Sequence, residues 1–401
     1  VSDMVTEEAI PGNTIKLTLD MNYQRKVQEI LENHIVWLNN QTSYNKKGEN
    51  ADAGAIVVLD VKTGALLAAA TAPTYDINDY LTDYASVINR DTPLVNRATN
   101  GLYRPGSTFK TVTATAALNE GFVNKSSTIF CGHKYTYWDD YKPNCTGWHG
   151  SINVVTAIEK SCNIFFYEVG RLMGPYMIES YANQYGLGDD CYLETGGAKG
   201  KIATPETMLD ANLEWQAGLV VQVAIGQSET AVTPLQMAVQ ASTIANKGVR
   251  YQPHLVDSVY TYNMEDVVSV TEPEITLTIP DKTGETFSLV TQGMKQAAAF
   301  TQYGYPTQKD YYTPYLLTDL PEAAAIKTGT PQVTSAEDTS SAFIGFYPAD
   351  DPEIAFAGMV EHGEYSKFMI RQLIEAYYSK NYVVPKPVIA KTEEDMAGLA
   401  D

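Results

Sequence analysis

Arg104-Pro105-Gly106-Ser107-Thr108-Phe109-Lys110 is the stretch on which the reading of this chain turns. Gly106 suits a sharp entry turn, and from Ser107 onward Phe109, Val112, Ala116 and Ala117 recur at helical spacing until Gly121 stops the run. Ser107 and Lys110 then share one face of a helical turn. The amine can reach the hydroxyl, and the positive end of the helix dipole favours an alkoxide-like oxygen there. A Ser-Lys nucleophile is one reading, and a plain N-cap serine is the other. Ser-x-x-Lys also occurs from Ser43 to Lys46, in a polar run without apolar periodicity that reads as a solvated loop.

A chain of 401 residues, 44% hydrophobic and 19% charged, can bury a substantial core in one large domain. Its formal charge of -20 argues against a nucleic-acid groove or a polybasic membrane face, since both need clustered Lys and Arg. No run approaches the ~20 apolar residues of a membrane span. The start at Val1, without Met or a leader-like segment, suggests a piece of a longer protein whose anchor lies elsewhere. Four cysteines in so long a chain are not a small-domain disulfide framework.

Residues 1–12 read as a linker, 13–383 as the domain, and 384–401, with two prolines and an acidic cluster, as a flexible tail. Thr14 to Leu19 alternates as a strand does, and Asp20 can cap a helix carrying Tyr23, Val27, Ile30, Leu31 and Leu38. Ala55–Asp60 and Ala65–Ala70 flank Val61-Lys62-Thr63-Gly64 as a hairpin. A segment rich in Cys, His, Tyr and Trp, 130–149, precedes a helical stretch from Ile152 to Met173 that Ser151 is expected to cap. Thr233, with Pro234 behind it, opens another helix that ends near Gly248, and 251–289 reads as short strands and turns. Ala324–Thr330, Ala342–Tyr347 and Ile354–Val360 are three late strands, followed by a helix with Met369, Ile370, Leu373, Ile374, Tyr377 and Tyr378 on one side. Two strands early and three late predict an α/β (α+β type) fold: a five-stranded antiparallel sheet covered by helices on both faces.

Ser-x-Asn and Lys-Thr-Gly follow Ser-x-x-Lys in order, a combination with chemical meaning for serine acyl transfer. Of the Ser-x-Asn copies, Ser151-Ile152-Asn153 sits at an expected helix cap. Ser161-Cys162-Asn163 precedes the aromatic run Ile164-Phe165-Phe166-Tyr167 and fits a junction against the core. Copies at Ser43 and Ser379 fall in a polar loop and beyond the last helix. Lys-Thr-Gly at Lys62 and at Lys282 reads as turn, whereas Lys327-Thr328-Gly329-Thr330 continues an apolar run and can form a sheet edge lining a cleft, where Gly329 admits a substrate. In that arrangement Ser107 attacks a carbonyl, and Lys110 acts as base if burial and Lys327 lower its pKa well below the reference of ~10.4. Ser161 relays a proton to the leaving amine, Asn163 binds the acyl chain's amide, and Thr328 with Thr330 holds a terminal carboxylate. The backbone N–H groups of Ser107 and Thr330 are the expected oxyanion hole.

With these residues in place, the chain resembles the transpeptidase domain of class B penicillin-binding proteins. The likeness runs from Gly12 to about Tyr378. It includes Lys16-Leu17-Thr18-Leu19-Asp20, Leu59 to Gly64 with Ala72 to Asp76, Asn96-Arg97-Ala98, Tyr103 to Lys110, Ile225-Gly226-Gln227, Thr233 to Gln236, Ile244-Ala245-Asn246 and Lys327 to Gln332. The resemblance implies a penicillin-binding/serine β-lactamase-like transpeptidase fold and a D,D-transpeptidase that cross-links peptidoglycan stem peptides through a Ser107 acyl-enzyme. β-Lactam antibiotics would acylate the same serine. It also implies the outer face of the bacterial cell membrane, an N-terminal anchor, and a membrane glycosyltransferase of the elongation machinery as partner. The insertion before Ala53 and the pair His149-Gly150 resemble the elongation subtype. A β-lactam-sensing receptor domain, a D,D-carboxypeptidase or β-lactamase-like hydrolase, and an inactive scaffold remain alternatives, although no dedicated deacylating glutamate is evident.

No cofactor is required for this chemistry. Cys131, Cys145, His149 and Cys162 nevertheless form a set suited to structural zinc, although the spacing Cys131-x13-Cys145-x3-His149-x12-Cys162 matches no standard finger. Elongation-type relatives resemble this, with Asp, His and Cys ligands in the corresponding segment. The alternatives are a packed Cys162, a Cys131–Cys145 disulfide, and His133 in place of His149. Cys191 reads as buried or idle. Without a Gly-x-Ser-x-Gly elbow, a Ser-His-Asp hydrolase has little support.

Overall fold

The computed structural model describes residues 10–40, 50–89, 92–190, 193–300, 317–331 and 339–387. The Ser43–Lys46 copy, Cys191 and residues 388–401 lie outside them. Helix α1, Met21–Asn39, starts where Asp20 accepts hydrogen bonds from the Asn22 and Tyr23 N–H groups. The early hairpin is β1, Gly54–Asp60, and β2, Leu66–Ala72. The late strands are β3, Ala325–Gly329, β4, Ser341–Tyr347, and β5, Ile354–Val360. They assemble into one five-stranded antiparallel sheet in the spatial order β3-β4-β5-β1-β2. The Lys-Thr-Gly strand β3 is therefore an edge, as its sequence suggests.

Alternation along β1 divides the core. Ala55, Val57 and Leu59 face one apolar cluster, while Ile56 and Val58 face the other, together with α1 and the last helix, Met369–Tyr378. The first cluster holds helix α2, Lys110–Asn119, and helix α3, Asn163–Met173, with the helix Pro234–Ala245 against the sheet. Thr233 and Gln236 form a reciprocal capping box there, with Pro234 at the first turn. Every residue of α2 and of the helix Pro234–Ala245 is buried, so neither presents a face to solvent.

Five local expectations change. Ser107 lies in a short 3-10 turn, Gly106–Phe109, and the α-helix begins only at Lys110. Ser151 belongs to a short strand, Gly150–Ile152; the cap is Asn153, whose side chain accepts from Thr156 N–H. The stretch from Ile152 to Met173 is not one helix but two, Val154–Glu159 and α3, broken at Ser161, which has φ +52°. Thr286–Phe300 is helical, so the strand-like region ends before Leu289. Val384 is buried and the Pro385 carbonyl accepts from Asn33 Nδ2 at 3.1 Å, so the chain is still anchored where a loose tail is expected.

The turn bearing Ser107 is pinned in part by a backbone contact. Gly106 N–H donates to the Gly226 carbonyl at 2.9 Å, and a Cβ on Gly226, at φ +72°, would stand 2.3 Å from Gly106 O. Gly226→Ala is expected to lower the unfolding free energy by about 3 kcal/mol through this clash and the left-handed conformation, read as a reduced Tm.

Candidate active site

The three motifs meet at the β3 edge. Gly329 is the reason the approach is close: a Cβ there would lie 2.7 Å from Pro105 O and 3.2 Å from Ser107 N. The corresponding position on Gly106 lies 3.3 Å from Thr330 N. The N–H groups of Ser107 and Thr330 thus belong to two backbones in contact, and the Gln227 amide donates to Thr330 O at 3.1 Å to fix the strand end.

Lys110 is fully buried, yet its ammonium-bearing end finds three oxygens: Ser161 O at 2.8 Å, Ser161 Oγ at 3.2 Å and Asn163 Oδ1 at 2.6 Å. It donates to these and not to Ser107, the partner that helical spacing suggests. Lys327, also buried, donates to the same Ser161 Oγ at 3.0 Å and to Thr328 O at 2.8 Å. Ser161-Cys162-Asn163 is therefore the Ser-x-Asn copy at the site. Ser151, in the strand Gly150–Ile152, is not.

Burial lowers the Lys110 pKa to about 7, and the nearby Cys145 and Cys162 thiols oppose the shift. Lys327 is lowered well below the ordinary lysine value by burial first, then by the Lys110 charge, then by Lys367. Desolvation thus governs both amines, and at Lys327 the Lys110 charge adds to it. An amine near 7 can accept a proton at neutral pH, which lysine in water cannot.

Three supports escape a reading by motif. Gln240 donates to Thr108 O at 3.1 Å and Thr111 Oγ1 at 2.8 Å, holding the turn that bears Ser107 from behind. Ser161 keeps a left-handed backbone without being glycine. Glu361, just beyond β5, accepts at one oxygen from Arg97 Nε at 2.9 Å and Tyr103 OH at 2.7 Å, tying the approach to Ser107 onto the sheet. Arg97 and Tyr103 stand in family-like stretches of the sequence, but nothing local points to Glu361.

Behind Ser161 lies the thiol cluster. Ligand atoms of Cys131, Cys145, His149 and Cys162 all fall within 4.8 Å of one another. His149 Nδ1 is 3.5 Å from Cys131 Sγ and 3.6 Å from Cys145 Sγ, and Cys145 and Cys162 sulfurs are 3.8 Å apart. Tetrahedral zinc with Zn–S near 2.3 Å separates two sulfurs by roughly 3.7 Å, so the donor set fits that ion. The cysteines are free, so the Cys131–Cys145 disulfide is not formed. His133 instead stacks on Trp148, with ring centroids 5.4 Å apart, and leaves the ligand position to His149.

A five-stranded antiparallel sheet with Ser-x-x-Lys, Ser-x-Asn and Lys-Thr-Gly gathered at its edge defines the penicillin-binding and serine β-lactamase-like class of fold. The chain belongs to the penicillin binding protein transpeptidase domain family, whose profile matches residues 54–375. It is 30% identical over 343 residues to Peptidoglycan D,D-transpeptidase MrdA of Acinetobacter baumannii, covering 78% of this chain and 48% of that protein. With MrdA of Escherichia coli K12 it shares 28% identity over 384 residues, 88% of this chain and 55% of the relative. The chain thus spans about half the length of these curated relatives. Pseudomonas aeruginosa PBP2, solved in complex with WCK 5153, superposes with a TM-score of 0.76 at 27% identity over 92% of this chain and 76% of the other. A chain from a structure describing polymerization and crosslinking by a peptidoglycan synthase complex gives 0.78 at 27% identity, over 93% of this chain and 64% of that one.

Replacing Glu361 by Gln leaves its shape but removes the charge shared by two donors. The expected loss is about 2 kcal/mol of unfolding free energy, from weakened charge-assisted hydrogen bonds, measurable by denaturant titration.

Proposed function

We propose that this domain is the D,D-transpeptidase unit of a class B penicillin-binding protein and cross-links peptidoglycan stem peptides through an acyl-enzyme on Ser107. The observation that carries the reading is the convergence of two buried lysine amines on one serine hydroxyl, one amine coming from the strand whose Gly329 packs against Ser107 N. In the first half-reaction, Ser107 Oγ attacks the carbonyl of a stem's penultimate D-alanine, and its proton passes to neutral Lys110. The N–H groups of Ser107 and Thr330 receive the developing oxyanion. Collapse breaks the amide bond, and the terminal D-alanine leaves with a proton delivered through Ser161. In the second, the amine of a neighbouring stem attacks the ester, forming the cross-link and returning Ser107 to the hydroxyl form. Asn163 binds the acyl chain's amide, and Thr328 and Thr330 bind the terminal carboxylate, with Gly329 leaving room for the backbone.

The reading extends to the elongation subtype on the outer face of the bacterial cell membrane, where a membrane anchor would hold the domain. No helix among the described residues is long and apolar enough to cross a membrane. A glycan-polymerising membrane glycosyltransferase is the partner this reading implies, in keeping with the synthase complex to which the fold is similar.

Incubation with benzylpenicillin should give a stable mass adduct on Ser107 that Ser107→Ala abolishes, and the acylation rate should rise with pH through about 7 as Lys110 loses its proton. Rapid release of the adduct would favour a hydrolase; absence of an adduct would favour a scaffold. A stable adduct without transfer between donor and acceptor peptides would favour the receptor reading.

We also propose that Cys131, Cys145, His149 and Cys162 hold a structural zinc ion. When bound it would cross-link the segment behind Ser-x-Asn, and no catalytic step passes through it. Protein purified without added metal should contain about one zinc per chain. Cys145→Ser should lose it and melt at lower temperature, whereas metal-free, fully stable wild type would refute the site.

A further inference from the structure

We propose that Cys145 and Cys162 are an oxidisable pair: with the metal gone, a hydroperoxide closes them into a disulfide, and the closed bond disables Lys110. The disabling half rests on the acyl-transfer reading; the thiol chemistry does not.

The geometry selects the pair. Cys145 and Cys162 sulfurs are 3.8 Å apart and both residues are buried, so a small oxidant is the suitable one. Cys131 instead faces His149 Nδ1 and the Gly147 carbonyl, each at 3.5 Å. One thiolate takes the distal oxygen of the peroxide as a sulfenic acid, S–OH, while the O–O bond breaks and hydroxide or alkoxide leaves with the electron pair. The second thiolate then attacks that sulfur, forming S–S and expelling hydroxide. Two thiols and one peroxide thus give one disulfide and two molecules of water, or water and an alcohol.

The consequence follows from where Cys162 sits. All three oxygens that hold Lys110 Nζ belong to Ser161 and Asn163, the residues on either side of it. Asn163 N–H also donates to Cys145 Sγ at 3.2 Å. An S–S bond of about 2.05 Å requires the two sulfurs to approach by more than an ångström. Ser161, already left-handed, has little freedom to absorb that shift, so the acceptors of Lys110 move with the sulfurs. Metal-bound thiolates are not available to the peroxide, so the bound ion protects the site.

The three cysteines fall in separate tryptic peptides, 126–134, 135–160 and 161–171, so the link can be mapped directly. The whole domain, with zinc chelated, is treated with hydrogen peroxide and digested without reductant. Peptides 135–160 and 161–171 should appear joined, in step with a roughly hundredfold fall in the rate of penicillin acylation. Dithiothreitol should restore the rate, and zinc-loaded protein should resist both changes. A link involving Cys131, no link at all, or a link with undiminished acylation overturns the proposal, as does a loss of rate that reductant does not reverse. If reduced, zinc-loaded protein takes no penicillin, the acyl-transfer reading and the disabling half fail together, while the peptide map still decides the thiol pair.

Discussion

Two lysine amines share one serine hydroxyl in the interior of this domain, and the rest of the structure is arranged so that they can. Ser161 Oγ lies 3.2 Å from Lys110 Nζ and 3.0 Å from Lys327 Nζ, and neither amine reaches solvent. Two full positive charges so placed, with no carboxylate against them in this group, would be strongly unfavourable. The pair is compatible with folding because burial removes charge from Lys110 near neutrality and Lys110 in turn disfavours the charge on Lys327. The lowered pKa of Lys110 is a consequence of packing and needs no further device.

Packing of that kind asks for rigid neighbours. The edge strand β3 brings Lys327 in from one side, and the fully buried helix α2 brings Lys110 from the other. Only glycines let the backbones close up: Gly106, Gly226 and Gly329 each occupy a place where a Cβ would meet another main chain. Buried amide side chains complete the frame, with Gln227 on the strand end and Gln240 on the turn that bears Ser107. The Cys/His cluster does the corresponding work on the third side, because Cys162 is itself part of Ser-x-Asn and Asn163 donates to Cys145. Alignment of the lysine–serine group and the integrity of the thiol cluster are therefore one structural problem.

The sequence alone determined the architecture and the three short motifs that the fold gathers at one sheet edge. Apolar runs in β1 and β3 to β5, the Asp20 and Thr233 caps, and the order of three short motifs are local properties, written within a few residues of where they act. Tertiary structure decided which copies count and how they are tuned. Ser151 and Ser161 carry the same pattern, but one pairs in a strand and the other breaks a helix at a positive φ that only its surroundings enforce. Glu361 and Gln240 act on residues far away in the chain, so no window of sequence could mark them. The same holds for the depressed pKa of Lys110 and for His149 rather than His133 facing the cysteines: solvent exclusion and ligand distance exist only once distant segments have packed together.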